Sequence, residues 1–310
     1  MSPIIEARNL TKSYGNFLAV KNLNFSIQTN ECFGILGPNG AGKTTTLKML
    51  YGTSPLSKGD LFIMGMNARK NLKTIKKEIG VVSQDNGLDP DFTVLDNLIV
   101  YGRYFRMKSH EAKRKAKELL RFMHLDNYMD MPVESLSGGM KRRLTIARAL
   151  MTDPKILFLD EPTTGLDPQA RLWIWENLLN LKRKGVTLVL TTHYMEEAEY
   201  LCDRLFIIDK GDILCEGVPS DLIRSTIGSE VVEFHVEMND LEYHLKKIRD
   251  RFDYQIFNNR IRLFVPINQQ AKDIISEVTS DNIVVRRASL DDVFLKVAGY
   301  DPTSSMGDLL

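Results

Sequence analysis

Gly37-Pro38-Asn39-Gly40-Ala41-Gly42-Lys43-Thr44-Thr45 is a glycine loop closed by a lysine and a hydroxyl, and its reading decides the fold. Residues 31–36 before it form an apolar run of strand length, and residues 44–50 after it carry a helical pattern. Strand, glycine loop and helix in that order make a phosphate cradle. Glycines let the backbone turn its N–H groups inward, and the helix N-terminus adds a partial positive charge. Lys43 then reaches the outer phosphates as a point charge and Thr44 holds Mg²⁺. An ordinary glycine-rich turn before a helix rarely supplies Lys-Thr in register. The segment therefore predicts an α/β chain that grips a nucleoside triphosphate.

Working outward, Lys155-Ile156-Leu157-Phe158-Leu159-Asp160-Glu161-Pro162 is an apolar strand that delivers two adjacent carboxylates at its C-terminal end. Ligands bind at that end of the strands in parallel α/β sheets. Asp160 fits the role of magnesium ligand, and Glu161 that of the base that polarises the water attacking the γ-phosphate. Alone, the pair reads as surface acids ending a strand; beside an intact phosphate loop that reading is the weaker one. A third stretch, Leu136-Ser137-Gly138-Gly139-Met140, precedes a strongly helical run over residues 141–150, which puts Ser137 and both glycines at a helix start. That is a second anion site. One nucleotide cannot easily occupy two phosphate-binding helix starts of the same subunit, whereas two chains facing head to tail place one nucleotide between them.

With these motifs in this order, the chain resembles the nucleotide-binding subunit of an ABC (ATP-binding cassette) transporter over about residues 4–220. The resemblance implies a P-loop ABC ATPase core with an antiparallel β subdomain and an α-helical subdomain. ATP is then held by Gly37, Pro38, Asn39, Gly40, Ala41, Gly42, Lys43, Thr44 and Thr45, and in a homodimer by the partner's copy of Ser137, Gly138 and Gly139. It assigns Tyr14, in Thr11-Lys12-Ser13-Tyr14-Gly15, to stacking on adenine, and Gln84 to the loop that contacts Mg²⁺ and the attacking water and faces the membrane partner. His193 matches the switch histidine on the γ-phosphate, and Asp167, in Gly165-Leu166-Asp167, the loop that signals across the dimer. Without the resemblance, Gln84 and His193 carry no signal, and Asp167 is an ordinary turn residue before Pro168. The signature departs from the family at Met140, where glutamine is common; the serine and glycines are untouched.

Composition narrows the alternatives. With 310 residues, 43% of them hydrophobic and 26% charged, the chain has room for one large domain and a smaller one. A net charge of +1 gives no global attraction to nucleic acid, and no nucleic-acid partner is expected. The most basic run, residues 108–117, is followed by Leu119, Leu120 and Phe122 and reads as a helix with a packed side and a solvated lysine side. Three cysteines, Cys32, Cys202 and Cys215, lack metal-type spacing and point to a reducing compartment. No apolar stretch approaches the roughly 20 residues needed to cross a bilayer. Transport by this chain requires separate integral membrane permease subunits, with the chain peripheral on the cytoplasmic face of the inner (plasma) membrane.

Along the chain, residues 1–222 read as the nucleotide-binding domain, with a helical subdomain at about residues 86–143. After Gly228 the pattern becomes strand, helix, strand, strand, helix, strand, which predicts a small α+β, ferredoxin-like domain over residues 229–298. Residues 299–310 are rich in turn formers and read as a flexible tail. The ending Ser289-Leu290-Asp291-Asp292-Val293-Phe294-Leu295 resembles that of nodulation-factor and daunorubicin-resistance exporter ATPases, which move oligosaccharide-lipids, lipids or amphipathic drugs. The alternative is a soluble ABC ATPase with a regulatory, translation or DNA-related role. Those typically carry two cassettes in one chain, a coiled-coil insertion or zinc-binding cysteines, and this sequence has none of the three.

Overall fold

The computed structural model describes residues 2–237, 240–248, 251–257, 259–267, 269–275 and 282–299. The chain divides into two compact units, Met1–Ile213 and Leu214–Leu310.

The first unit begins with β1 (Ile5–Tyr14) and β2 (Phe17–Ile27), then β3 (Cys32–Leu36) and α1 (Lys43–Leu50). Next come β4 (Lys58–Ile63), β5 (Met66–Asn67), α2 (Ala68–Ile75) and β6 (Ile79–Val82). Three helices follow: α3 (Val94–Tyr104), α4 (Ser109–Phe122) and α5 (Gly138–Ala149). The core resumes with β7 (Ile156–Asp160), α6 (Pro168–Arg183), β8 (Thr187–Thr192), α7 (Met195–Leu201), β9 (Arg204–Asp209) and β10 (Asp212–Gly217), within which the unit boundary falls. One sheet is antiparallel, in the order β2-β1-β4-β5; the other has the order β10-β9-β3-β8-β7-β6. In the second sheet β3 lies between β8 and β9, and β7 between β6 and β8, all parallel. Strands covered on both faces read as unbroken apolar runs, and β3 and β7 are buried at every position. Phe25 of β2 packs against Phe33 of β3 and Phe206 of β9, with ring centroids 6.1 and 5.2 Å away, so one aromatic cluster joins the two sheets.

The α/β core and the helical segment match expectation. The sequence pattern over residues 4–10 and 23–27 reads as two short strands, but β1 and β2 run to Tyr14 and start at Phe17. Register shifts along the pair and Asn22 at φ 55° break the alternation that would have revealed their length. In α4 the buried residues are Ala112, Ala116, Leu119 and Leu120, while Lys113 and Arg114 are exposed, as the lysine-rich run predicted. Lys210 and Gly211, at φ 47° and 85°, make the two-residue turn between β9 and β10, and Cys32 is core packing. No helix among the described residues is long and apolar enough to cross a membrane.

The second unit contains α8 (Pro219–Thr226), β11 (Glu230–His235), α9 (Leu241–Ile248), β12 (Tyr254–Phe257), β13 (Arg260–Val265), α10 (Ala271–Ile275), β14 (Ile283–Arg287) and α11 (Leu290–Val297). Its sheet has the antiparallel order β12-β13-β11-β14, a split βαββαβ arrangement. Val232, Phe234, Ile261, Leu263 and Ile274 form its core. Ser289 caps α11 in a reciprocal box with Asp292. The sequence pattern reads as a helix over residues 271–278 and a turn at residues 258–259; the end of that helix, Asn258 and the tail beyond Gly299 lie outside the described residues.

Candidate functional site

The C-terminal ends of β3, β6, β7 and β8 supply most of the groups that the sequence singled out. A cavity of about 680 Å³ is lined by Tyr14, Asn39, Gly40, Gly42, Lys43, Thr44, Thr45, Gln84, Glu161 and His193, together with Phe17, Ala19 and Thr164. The glycine loop between β3 and α1 is built for close approach. Gly40 and Gly42 hold φ 82° and 107°, and a Cβ on Gly37 would meet the Ile208 carbonyl oxygen at 2.2 Å. Lys43 is 4% exposed; its ammonium donates to the Pro38 carbonyl at 3.0 Å and lies 3.5 Å from Glu161 Oε1. Burial lowers the Lys43 pKa, and the carboxylates of Glu161 and Asp160 oppose that shift.

Asp160 does not line the cavity; it stands behind Thr44. Thr44 Oγ1 donates to Asp160 Oδ1 at 3.0 Å, and Thr191 Oγ1 donates to the same oxygen at 2.6 Å. Glu161 is 8% exposed with φ 46°, a left-handed conformation that is uncommon outside glycine. The strained backbone is pinned from both sides. Its N–H donates to the Thr191 carbonyl and hydroxyl at 3.1 and 3.0 Å, and its carbonyl accepts from Arg142 Nη2 at 3.0 Å. The carboxylate accepts from Thr164 Oγ1 at 3.1 Å, and His193 Nδ1 stands 3.2 Å from Oε1 without the alignment of a hydrogen bond. Burial pushes the Glu161 pKa up, but His193, Lys43 and Thr164 together outweigh it and hold the carboxyl below its ordinary value. The result is an ionised carboxylate fixed between a cation and an imidazole.

Arg142 was not singled out from the sequence. It is buried on α5 and donates to the carbonyls of Pro162 at 2.7 Å, Ser83 at 2.6 Å, and Asp160 at 2.8 Å as well as to that of Glu161. Burial draws its pKa down to about 10, so it remains a cation at neutral pH. On the same helix Arg148 holds the carbonyls of Asn86 and Gly87, and Thr145 Oγ1 contacts Asn86 Oδ1 at 3.4 Å. The spacing 142, 145, 148 is one helical face, a signal present in the sequence but silent about what that face touches.

Ser137, Gly138, Gly139 and Asp167 are not among the residues lining the cavity. Ser137 is exposed and caps α5, its Oγ accepting from Met140 N at 3.3 Å. Asp167 caps α6, its Oδ1 accepting from Ala170 N at 2.9 Å, and a Cβ on Gly139 would lie 3.3 Å from the Ala170 Cβ. Pro38 and Ala41 belong to the loop backbone; Trp175 is core, its indole donating to Glu197 at 2.9 Å.

The residues present fit a triphosphate with Mg²⁺. The loop is open to close backbone approach, a buried lysine supplies the counter-charge, and hydroxyl and carboxylate oxygens at Thr44 and Asp160 are the donors a hard cation takes. Comparison with known proteins agrees. The ABC transporter family model matches residues 20–164. The chain is 45% identical over 298 residues to the Nod factor export ATP-binding protein I of Burkholderia lata, covering 96% of this chain and 97% of that protein. It is 42% identical to the protein of that name from Rhizobium johnstonii, covering 97% of each. Among solved structures, a dimeric ATP-binding cassette in a post-hydrolysis state, bound to ADP and Pi, superposes with a TM-score of 0.64 at 30% identity, covering 69% of this chain and 98% of that one. The cbiO1 protein of Clostridium perfringens, part of an ABC transporter complex, gives 0.66 at 26% identity, covering 81% and 96%. This chain belongs to the ATP-binding subunits of ABC transporters. It is an ATPase that uses ATP and Mg²⁺.

Proposed function

We propose that this subunit powers export of a lipid, an oligosaccharide-lipid or an amphipathic drug through separate integral membrane subunits, working peripherally on the cytoplasmic face of the inner (plasma) membrane. The observation that carries the catalytic part is the Glu161 carboxylate, ionised and held between Lys43 and His193 at the mouth of a glycine-loop cavity. Residues 1–222 form the nucleotide-binding domain in this reading, and residues 229–298 an accessory one. The names of the relatives, Nod factor export proteins, support the substrate class, as does the Asp291-Asp292-Val293-Phe294-Leu295 ending.

In this reading Gly37 to Thr45 grip the phosphates, with Lys43 as the charge that binds the outer ones. Tyr14 stacks on the base. Thr44, Asp160 and Gln84 hold Mg²⁺, which when bound neutralises charge on the phosphate oxygens. Glu161 takes the proton of the attacking water, and His193 donates a hydrogen bond to the γ-phosphate. Ser137, Gly138 and Gly139 serve the partner's nucleotide, and Asp167 signals across that interface. The exposed Ser137 at the start of α5 leaves a helix N-terminus for a partner's nucleotide.

The test is purification of the tagged chain from detergent-solubilised membranes, reconstitution with whatever polytopic protein accompanies it, and assay of ATPase stimulation by lipid-linked oligosaccharides. A stoichiometric membrane partner and stimulated turnover bear the reading out. Recovery without a membrane partner overturns the transport role.

A further inference from the structure

The lining of the nucleotide cavity is chemically divided. Around Asn39 to Thr45, Gln84, Glu161, Thr164 and His193 it is polar or backbone; its apolar side chains, Tyr14, Phe17 and Ala19, all come from the β1–β2 hairpin. A triphosphate suits the first part and a nucleobase the second. Tyr14 alone was assigned to the base from the sequence. The structure adds a second aromatic residue, Phe17, to the lining of the same cavity.

Tyr14 and Phe17 are direct partners in the antiparallel register, separated by the two-residue turn Gly15-Asn16 with Gly15 at φ 57°. Directly opposed residues in such a pair present their side chains on the same face. The tyrosine ring is already fixed. The Lys12 ammonium sits 4.8 Å from its centroid and is anchored by the Pro55 carbonyl at 2.8 Å, and the phenol oxygen lies 3.4 Å from Ser54 Oγ. Phe17 has no ring or cation partner among the described residues, and it is 65% exposed against 51% for Tyr14. A phenylalanine left in water at the lip of a nucleotide cavity gains its burial only when a flat apolar ligand covers it.

We propose that Phe17 is a base-binding residue that, with Tyr14, forms a two-ring aromatic surface and sets a preference for purine over pyrimidine nucleotides. This rests on the cavity being the ATP site. The selectivity follows from area: a bicyclic base covers both rings, whereas a monocyclic base covers one well and the other poorly. Recognition by stacking reads the size of the base rather than its hydrogen-bonding edge.

The experiment measures binding of Mg-ATP, Mg-CTP and Mg-tripolyphosphate by calorimetry to the full-length chain and to Phe17→Ala, Phe17→Tyr and Tyr14→Ala. Phe17 is exposed, so the alanine variant keeps its thermal midpoint without nucleotide, and that midpoint is recorded. The expected result is a loss of about 5- to 30-fold in ATP affinity for Phe17→Ala, within the range for one aromatic platform. A smaller loss for CTP, unchanged tripolyphosphate binding and near-native behaviour of Phe17→Tyr complete it. Unchanged ATP affinity in Phe17→Ala while Tyr14→Ala weakens it overturns this inference and leaves the ATP site standing. An equal loss for tripolyphosphate also overturns it, because the effect would then lie in the phosphate loop. Failure of the native chain to bind Mg-ATP overturns the site and the inference together.

Discussion

At the scale of single residues, Glu161 combines a strained backbone, near-complete burial and an ionised carboxylate. Replacing it with glutamine keeps the shape and removes the carboxylate proposed as the base. Turnover should fall by about 10²–10⁴ with ATP affinity retained, the range expected for loss of a general base. Steady-state assay beside calorimetry checks this, and unchanged turnover in a contaminant-free preparation contradicts it. The carboxyl also makes a pH prediction. Its folded pKa lies below the ordinary 4.5, so ionisation stabilises the fold above the unfolded value, and that contribution is lost as pH falls through the lowered one. The stability advantage of the native protein over Glu161→Gln should therefore be full at pH 7 and shrink on acidification below 4.5. Urea unfolding of both proteins across that range reads it. The glycine-loop residues Gly37 to Thr45 were legible because phosphate chemistry fixes their spacing within one loop and its helix. Thr191, Arg142 and Phe17 were not, because each acts on a group far from it in sequence or through a hairpin register that a bulged strand conceals.

At the scale of elements, Arg142 ties the start of α5 to the ends of β6 and β7 through four carbonyls. The signature helix, the Gln84 loop and the Glu161 backbone thus share one cation. Arg142→Ala should cost on the order of 3 kcal/mol in urea unfolding, since it leaves buried carbonyls without their donor. It should also lower kcat more than it raises KM. Arg142→Lys should recover only part of the loss, because an ammonium cannot reproduce the planar fork. A variant as stable and active as the native chain would refute the link. In the second unit Arg286 bonds Glu233 Oε1 at 2.7 Å and Asp292 at 2.6 and 2.7 Å, joining β11, β14 and α11. Burial pushes the Asp292 pKa up, but Arg286 and Ser289 outweigh it and hold the carboxyl low. Asp292→Asn should lower the stability of this unit by about 1–3 kcal/mol at neutral pH, with the difference fading as acid protonates Asp292. The order of strands and helices here was legible from alternation and helical spacing. The pairing of β11 with both β13 and β14 follows only through the ferredoxin-like reading of that order, since sheet order depends on contacts that no local pattern encodes.

At the scale of the whole molecule, one chain carries a phosphate cradle lined by its own Lys43 and a second helix start at Ser137 that lies outside that cavity. In the proposed reading a monomer leaves the second unused, a mismatch visible in the sequence as two anion sites for one nucleotide. The cassette that this fold resembles is dimeric, and a head-to-tail pair is the proposed resolution of the mismatch. Ser137→Arg tests the pairing directly. Ser137 is exposed and does not line its own chain's cavity, so a larger cation there should leave ATP binding to the monomer intact while filling the space for the partner's nucleotide. The Glu161→Gln background is the right host, because slow hydrolysis lets ATP-bound dimers accumulate. Size-exclusion chromatography with Mg-ATP should show dimers for Glu161→Gln and monomers for the double variant, with equal nucleotide affinity by calorimetry at low protein concentration. Dimers that persist in the double variant would mean that Ser137 faces no nucleotide.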